Sequence, residues 1–119
     1  PGKPSGYFKV SDERRLKGEE IKSLFFGKKM VGHAGKRQWL IERAQDGEAK
    51  FWYGSKFLGS GKSWVEGDDL CNQWEKVFGG VKYCMDAYRN PEGTPEQKND
   101  YFLITDYGMF GCSPENLEG

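Results

Sequence analysis

The hydrophobic positions of the chain follow two spacings, first helical and then extended. Near the N-terminus, acidic residues open a segment in which Ile21, Leu24 and Phe25 form one apolar stripe, and Gly27 follows its last apolar residue. Glycine at this point can adopt the left-handed conformation that ends many helices. The pattern predicts a short helix, Gly18–Phe26, which must pack on one face or end of the domain because so few turns are unstable alone.

After Gly27 the spacing becomes that of short β-strands divided by turn-forming residues. The predicted strands are Lys29–His33, Gln38–Arg43, Glu48–Tyr53, Lys62–Glu66, Asp69–Glu75, Val81–Tyr88, Tyr101–Thr105 and Met109–Cys112. The stretches between them, including the one from Gly54 to Gly61, are rich in residues that reverse the chain. Parallel pairing would need a long crossover at each join. We therefore predict a mainly β fold: an antiparallel up-and-down meander or small barrel with one short N-terminal helix.

The same pattern divides the chain into three parts. We expect residues 1–16, which begin with a run rich in Pro, Gly and Ser, to form a flexible leader. Residues 17–112 are expected to form a single β domain and residues 113–119 a C-terminal tail, since 119 residues match the size of one domain. Because the sequence begins without an initiator Met, we expect a processed or trimmed product.

Aromatic residues supply much of the apolar character, with 8 Phe, 6 Tyr and 4 Trp in a chain that is only 36% hydrophobic. Neighbouring rings in Phe51-Trp52-Tyr53 and in Tyr101-Phe102 point to opposite faces of their strands. Some rings therefore face solvent or line a cavity, unless the helix covers the second face. The candidate contact residues for a ligand or partner are Trp52, Tyr53, Phe57, Tyr101 and Tyr107.

Charge and rare residue types argue against several functions. Lysine plus arginine and aspartate plus glutamate both number 18, so no net charge is available to hold nucleic acid. No apolar run approaches the roughly 20 residues of a membrane span. His33 is the only histidine, and no cysteine pair has the spacing of a zinc knuckle. We therefore expect no catalytic residue, no metal and no cofactor. A saccharide-active enzyme remains an alternative because carboxylates are plentiful, the most clustered being Glu66, Asp68, Asp69, Asp86, Asp100 and Asp106.

Cys71 and Cys84 fall in adjacent predicted strands, which permits a test of their register. If they face each other in an antiparallel pair, six residues share one core-like face: Leu70, Asn72, Trp74, Val81, Tyr83 and Met85. The two cysteines then lie on the wetter face. Their thiols either form a disulfide in an oxidising compartment or stay reduced in the cytosol. Cys112 is expected to be a small buried apolar residue of the last strand.

Three segments together resemble a family of small exported bacterial β domains of unknown function: Gly61-Lys62-Ser63-Trp64, Gly67-Asp68-Asp69-Leu70-Cys71-Asn72-Gln73-Trp74 and Cys84-Met85-Asp86-Ala87-Tyr88. The resemblance covers roughly residues 18 to 110 and includes a helix rich in Glu, Leu and Phe. It implies a periplasmic or secreted protein with a Cys71–Cys84 disulfide, and it carries over no catalytic residue. The chain departs from this pattern in the segment from Asn90 to Asn99 and in Cys112.

These observations predict a non-enzymatic exported module that binds an unknown protein or a small apolar ligand. One alternative is a lipocalin-like carrier that encloses a small apolar ligand. Another is an exported inhibitor that inserts a rigid loop into an enzyme's cleft, with Phe57-Leu58 or Pro91–Pro95 as that loop. The third is the carboxylate-based saccharide-active enzyme.

Overall fold

A closed barrel of eight antiparallel strands dominates the computed structural model, which describes residues 12–34, 36–90, 100–105 and 108–114. The helical elements are a 3-10 helix Asp12–Arg14, the α-helix α1 Gly18–Phe25 and a 3-10 helix Phe78–Gly80. The strands are β1 Lys28–Ala34, β2 Arg37–Arg43, β3 Glu48–Tyr53, β4 Lys56–Glu66, β5 Asp69–Trp74, β6 Tyr83–Arg89, β7 Tyr101–Thr105 and β8 Gly108–Pro114. Each strand pairs with the next, and β8 pairs with β1. The predicted mainly β, up-and-down architecture with one short helix is confirmed.

The hairpin of β5 and β6 has the register expected from the sequence. Cys71 pairs with Cys84, and their sulfurs form a disulfide. The ladder ends where Asn72 pairs with Tyr83, two pairs earlier than expected, because the connection contains a 3-10 helix and widens there. Val81 consequently leaves the barrel wall and is 62% exposed, so its predicted place in the core is wrong.

The outer face around the disulfide is covered by the chain that precedes α1. Arg15 donates a 2.8 Å hydrogen bond to Asp69 and lies 3.5 Å from Asp86. Leu16, within the expected leader, is completely buried, and its backbone N–H donates to a carbonyl of β6 at 2.8 Å. Cys71 is also completely buried, and the expectation of a wet environment for this residue is wrong.

β4 is longer than the sequence suggests, because Gly59 and Gly61 lie within the strand and not in a loop. A two-residue turn precedes Lys56, and Gly59, at a φ of 137°, lies opposite a register shift in β3. Gly61 has no room for a side chain, since a Cβ there would lie 2.3 Å from the backbone oxygen of Gln73. The predicted connection from Gly54 to Gly61 is thus wrong, while the bounds of the other elements differ from prediction by at most two residues.

The α-helix closes one end of the barrel. Ile21 and Phe25 are completely buried, and the Phe25 ring lies 5.4 Å from that of Tyr101, on the inner side of β7. The N-terminus of α1 is held at the β4–β5 turn, because the backbone N–H of Gly18 donates a 2.8 Å hydrogen bond to the Asp68 carboxylate. The main apolar core therefore lies inside the barrel and beneath α1. No helix in the described part of the chain is long and apolar enough to cross a membrane.

Cys112 lies on the inner side of β8 and is a free, completely buried cysteine, as predicted. Burial raises the pKa of its thiol to about 12. The thiol therefore remains protonated at neutral pH and serves as a small apolar group of the core.

Candidate functional site

A cavity of about 500 Å³ occupies the end of the barrel opposite α1. Apolar side chains from several strands form its wall, namely those of Trp39, Ile41, Phe51, Met85 and Leu103. They face inward because alternate residues of each strand point into the barrel. Both the volume and the apolar wall are typical of a site for a small molecule, for which cavities of about 300–1,000 Å³ are usual.

The mouth of this cavity is formed by apolar side chains that solvent reaches. Phe78 is 56% exposed, Val81 62% and Phe110 39%, and all three line the cavity. Apolar groups gathered at an opening are a common feature of binding sites. The mouth thus offers apolar contact to a ligand that enters the barrel.

Phe78 has an unusual backbone conformation at this mouth. Its φ of 56° lies in the left-handed region, where a bulky side chain is strained. The ring stacks on Phe51 at 6.1 Å between centroids and meets Tyr83 edge-on at 5.7 Å. The strained turn therefore holds an aromatic ring over the cavity.

Polar side chains form the floor of the cavity. The completely buried Asn72 accepts hydrogen bonds at its Oδ1 from the Ser63 hydroxyl at 2.6 Å and from Arg43 at 3.2 Å. Its Nδ2 donates to the Tyr83 hydroxyl at 3.2 Å, which also accepts from the indole of Trp74 at 2.8 Å. Asn72 and Tyr83 line the cavity, so this network reaches the space that a ligand would occupy.

Arg43 supplies the charge of the network. Its side chain is 1% exposed, and its Nε donates to Ser63 at 2.9 Å. The guanidinium lies 5.9 Å from the centre of the Phe25 ring, between the cavity floor and α1. Burial lowers the pKa of Arg43 to about 10. The guanidinium nevertheless keeps its charge at neutral pH, so a cation lies directly behind Asn72.

Carboxylates lie on the outer wall, and none of the described residues that line the cavity is acidic. Asp69 and Asp86 are paired across β5 and β6, where Arg15 bridges them. Burial and the neighbouring Asp86 carboxyl raise the pKa of Asp69. This carboxyl pair therefore supports the outer wall and is not available to a molecule inside the barrel.

One group of potential metal ligands occurs among the described residues, Glu66 with Cys71 and Cys84. Since the two sulfurs are bonded to each other, the group offers a single carboxylate and no thiolate.

A second hollow, of about 690 Å³, lies over β1, β2 and β3. Charged side chains of both signs line it, namely those of Lys28, Lys29, Glu42, Arg43, Glu48 and Lys50, so Arg43 borders this hollow and reaches the apolar cavity only through Asn72. The mixed charges favour no ligand class, so we take the apolar cavity as the candidate site.

The predicted contact residues do not form one surface. Trp52 and Phe57 are paired on the outer side of β3 and β4, with ring centroids 5.2 Å apart. Tyr53 lies at the open end beneath Arg37, and Tyr101 lies near Phe25 at the closed end. None of these four is among the residues that line the cavity. Tyr107 lies outside the described residues, and the role of all five in binding stays a prediction.

The inward orientation of the polar residues at and behind the cavity floor could be predicted from the sequence. The predicted register of β5 and β6 already places Asn72 and Tyr83 on the core-like face, and a polar side chain there needs partners. Arg43 continues the alternation of Trp39 and Ile41 and is therefore expected to point inward. Reading these polar residues as a site would have required knowledge of which strands face each other.

Comparison of the chain with protein-family models, with curated proteins and with solved structures finds no match.

Proposed function

We propose that this protein is a non-enzymatic binding protein that carries a small, largely apolar ligand in the cavity of its barrel. The proposal rests on one observation: an apolar space of about 500 Å³ opens to solvent at one end of the barrel, while α1 closes the opposite end of the barrel. A barrel whose interior were needed only for stability would be filled by side chains. The exposed rings at the mouth support entry of a ligand at this end.

We further propose that the protein is exported to the periplasm or secreted. The Cys71–Cys84 disulfide supports this location, because such bonds persist in oxidising compartments and are rare in the cytosol. The resemblance to small exported β domains argues in the same direction. A carrier in these compartments would take up apolar molecules that dissolve poorly in water.

The other functions have less support. Phe57 and Leu58, considered above as an inhibitory loop, belong to β4, and Pro91–Pro95 lies outside the described residues. The Asp69 and Asp86 carboxyls are bridged by Arg15 on the outer wall, which does not resemble an open cleft for a saccharide. A partner protein that docks on Trp52 and Phe57 remains the alternative that the outer wall offers.

Titration with Nile red, a neutral apolar dye that fluoresces in dry surroundings, tests the proposal. We expect saturable binding of one dye per chain. In Leu103→Trp the larger ring fills the cavity, so binding should be lost while the thermal unfolding transition remains cooperative. In the matched control Phe57→Ala, which removes an exposed ring of the outer wall, binding should be unchanged. Loss of binding in Phe57→Ala, or full binding in Leu103→Trp, would favour the outer wall as the binding surface.

A further inference from the structure

We propose that the ligand carries a carboxylate group, which Asn72 and Tyr83 bind at the cavity floor with the charge of Arg43 behind them. The inference rests on the proposed function, because it assigns a chemical class to the ligand of the same cavity. The supporting observation is the set of hydrogen-bond donors and acceptors that Arg43, Asn72 and Tyr83 present at the cavity floor.

Arg43 is a buried cation whose hydrogen-bond partners are neutral. Of its five N–H groups, two donate, to Ser63 and Asn72. Within the described residues, no carboxylate pairs with it. A buried charge is costly unless an opposite charge or a full set of hydrogen bonds accompanies it. An anion bound close to the guanidinium would supply that compensation.

The direction of the hydrogen bonds is fixed by chemistry. Arginine only donates, so the Asn72 atom that faces Arg43 must be the oxygen, and the amide nitrogen must face Tyr83. Trp74 also only donates, so the Tyr83 oxygen accepts from both Trp74 and Asn72. The donated protons of Arg43, Ser63 and Asn72 therefore all point along the path from Arg43 to Tyr83, where the Trp74 N–H also ends.

This direction leaves two donors of the network, on Asn72 and Tyr83, at the cavity. With its oxygen accepting twice, Tyr83 has its own O–H free to donate, and the second N–H of Asn72 has no acceptor among the described residues. Both residues line the cavity. A carboxylate has only acceptors and can take both donors through its two oxygens. Its single negative charge matches the single charge of Arg43, whereas a doubly charged phosphate would leave one charge uncompensated.

Lys82, unlike Arg43, lines the cavity directly, and it defines a competing arrangement. It lies at the mouth, where it is paired with Glu66 at 2.9 Å. A ligand with its anionic group at Lys82 would point its apolar part into the barrel and leave the floor untouched. The two arrangements predict opposite effects for removal of Arg43 and of Lys82.

Competition against Nile red with dodecanoate and dodecanol, which share one alkyl chain, tests the proposal at mildly alkaline pH. In the wild type, dodecanoate should bind about tenfold or more tightly than dodecanol, as expected for hydrogen bonds to a charged group. Arg43→Met should remove this preference while the affinity for dodecanol changes by less than about twofold. Lys82→Met is the matched control and should keep the preference.

A second variant covers the case in which Arg43→Met does not fold. Asn72→Asp places a carboxylate beside Arg43 within the protein, so the variant should fold and should bind dodecanoate more weakly than dodecanol. Equal affinities for dodecanoate and dodecanol in the wild type would overturn the carboxylate assignment and leave the carrier function standing. Loss of the preference in Lys82→Met would also overturn it. Failure of both compounds to compete would count against the carrier function itself.

Discussion

The ring of Phe78 stands edge-on to the ring of Tyr83, with 5.7 Å between their centroids, at the mouth of the barrel. Tyr83 begins β6 and belongs to the polar floor, whereas Phe78 belongs to the strained turn that joins β5 to β6. One connection therefore positions both an apolar cover and a hydrogen-bond donor. A change in this turn is expected to alter binding more than stability.

Phe78→Gly tests the role of that turn. Glycine relieves the left-handed strain, but it loses the ring contacts and gains freedom in the unfolded chain, so the free energy of unfolding should change by less than about 1 kcal/mol. Nile red affinity should fall because the apolar cover is gone. Phe78→Ala, which keeps the strain without the ring, should be about 1 kcal/mol less stable than Phe78→Gly. Unchanged dye affinity in both variants would show that the ring does not contact the ligand.

The pairing of β5 with β6 could be predicted because both segments alternate large apolar residues with polar ones. A shift by one residue would turn Leu70 and Trp74 to the outside, so one register is strongly favoured. The prediction failed beyond Asn72, where three residues of the connection have a positive φ, Phe78 among them. A bulky residue in that conformation gives no signal in sequence.

The closure of the barrel and the charged network could not be predicted from the chain. Pairing of β8 with β1 depends on the tilt and register of every strand around the sheet. The partners of Arg43 lie 20 and 29 positions away, at Ser63 and Asn72. Alternation alone tells which side of a strand a residue takes, but not which distant residue it meets there.

Removal of the disulfide should lower stability without changing the fold. A bridge between residues 13 positions apart stabilises a protein by about 3 kcal/mol through the reduced freedom of the unfolded chain. The double variant Cys71→Ala, Cys84→Ala should therefore unfold at a lower urea concentration. Adding a reductant should shift the wild type in the same direction and leave the double variant unchanged. A shift of the double variant with reductant would mean that another thiol reaction is being observed.

The two paired carboxyls of the outer wall should titrate abnormally. Burial and Asp86 raise the pKa of Asp69 above its ordinary value of 3.8, and Asp86→Asn should lower it. A raised pKa means that the folded state holds this proton more tightly. The resulting stabilisation is present below pH 3.8 and is lost as the pH rises through the folded pKa. Carbon-detected NMR titration measures the pKa directly, and a wild-type value at or below 3.8 contradicts the arrangement.

Gly61→Ala tests the close packing of β4 on β5. The added Cβ would lie 2.3 Å from the backbone oxygen of Gln73 and 2.7 Å from the ring of Trp74. Such overpacking should cost about 1–3 kcal/mol or more, measured by denaturant unfolding. The control is Gly67→Ala, where a Cβ would have no neighbour within 4 Å and only the positive φ is unfavourable. An equal loss of stability in both variants would mean that β4 and β5 are less closely packed than described.

The position of a bound alkyl chain can be observed directly by NMR. We would saturate the protein with dodecanol and record nuclear Overhauser effects to its Met and Leu methyl groups. The expected result is effects to Met85 and Leu103, which line the cavity, and none to Leu40 and Met109 on the outer side of the wall. Effects confined to Leu40 or Met109, or none at saturation, would contradict binding inside the barrel.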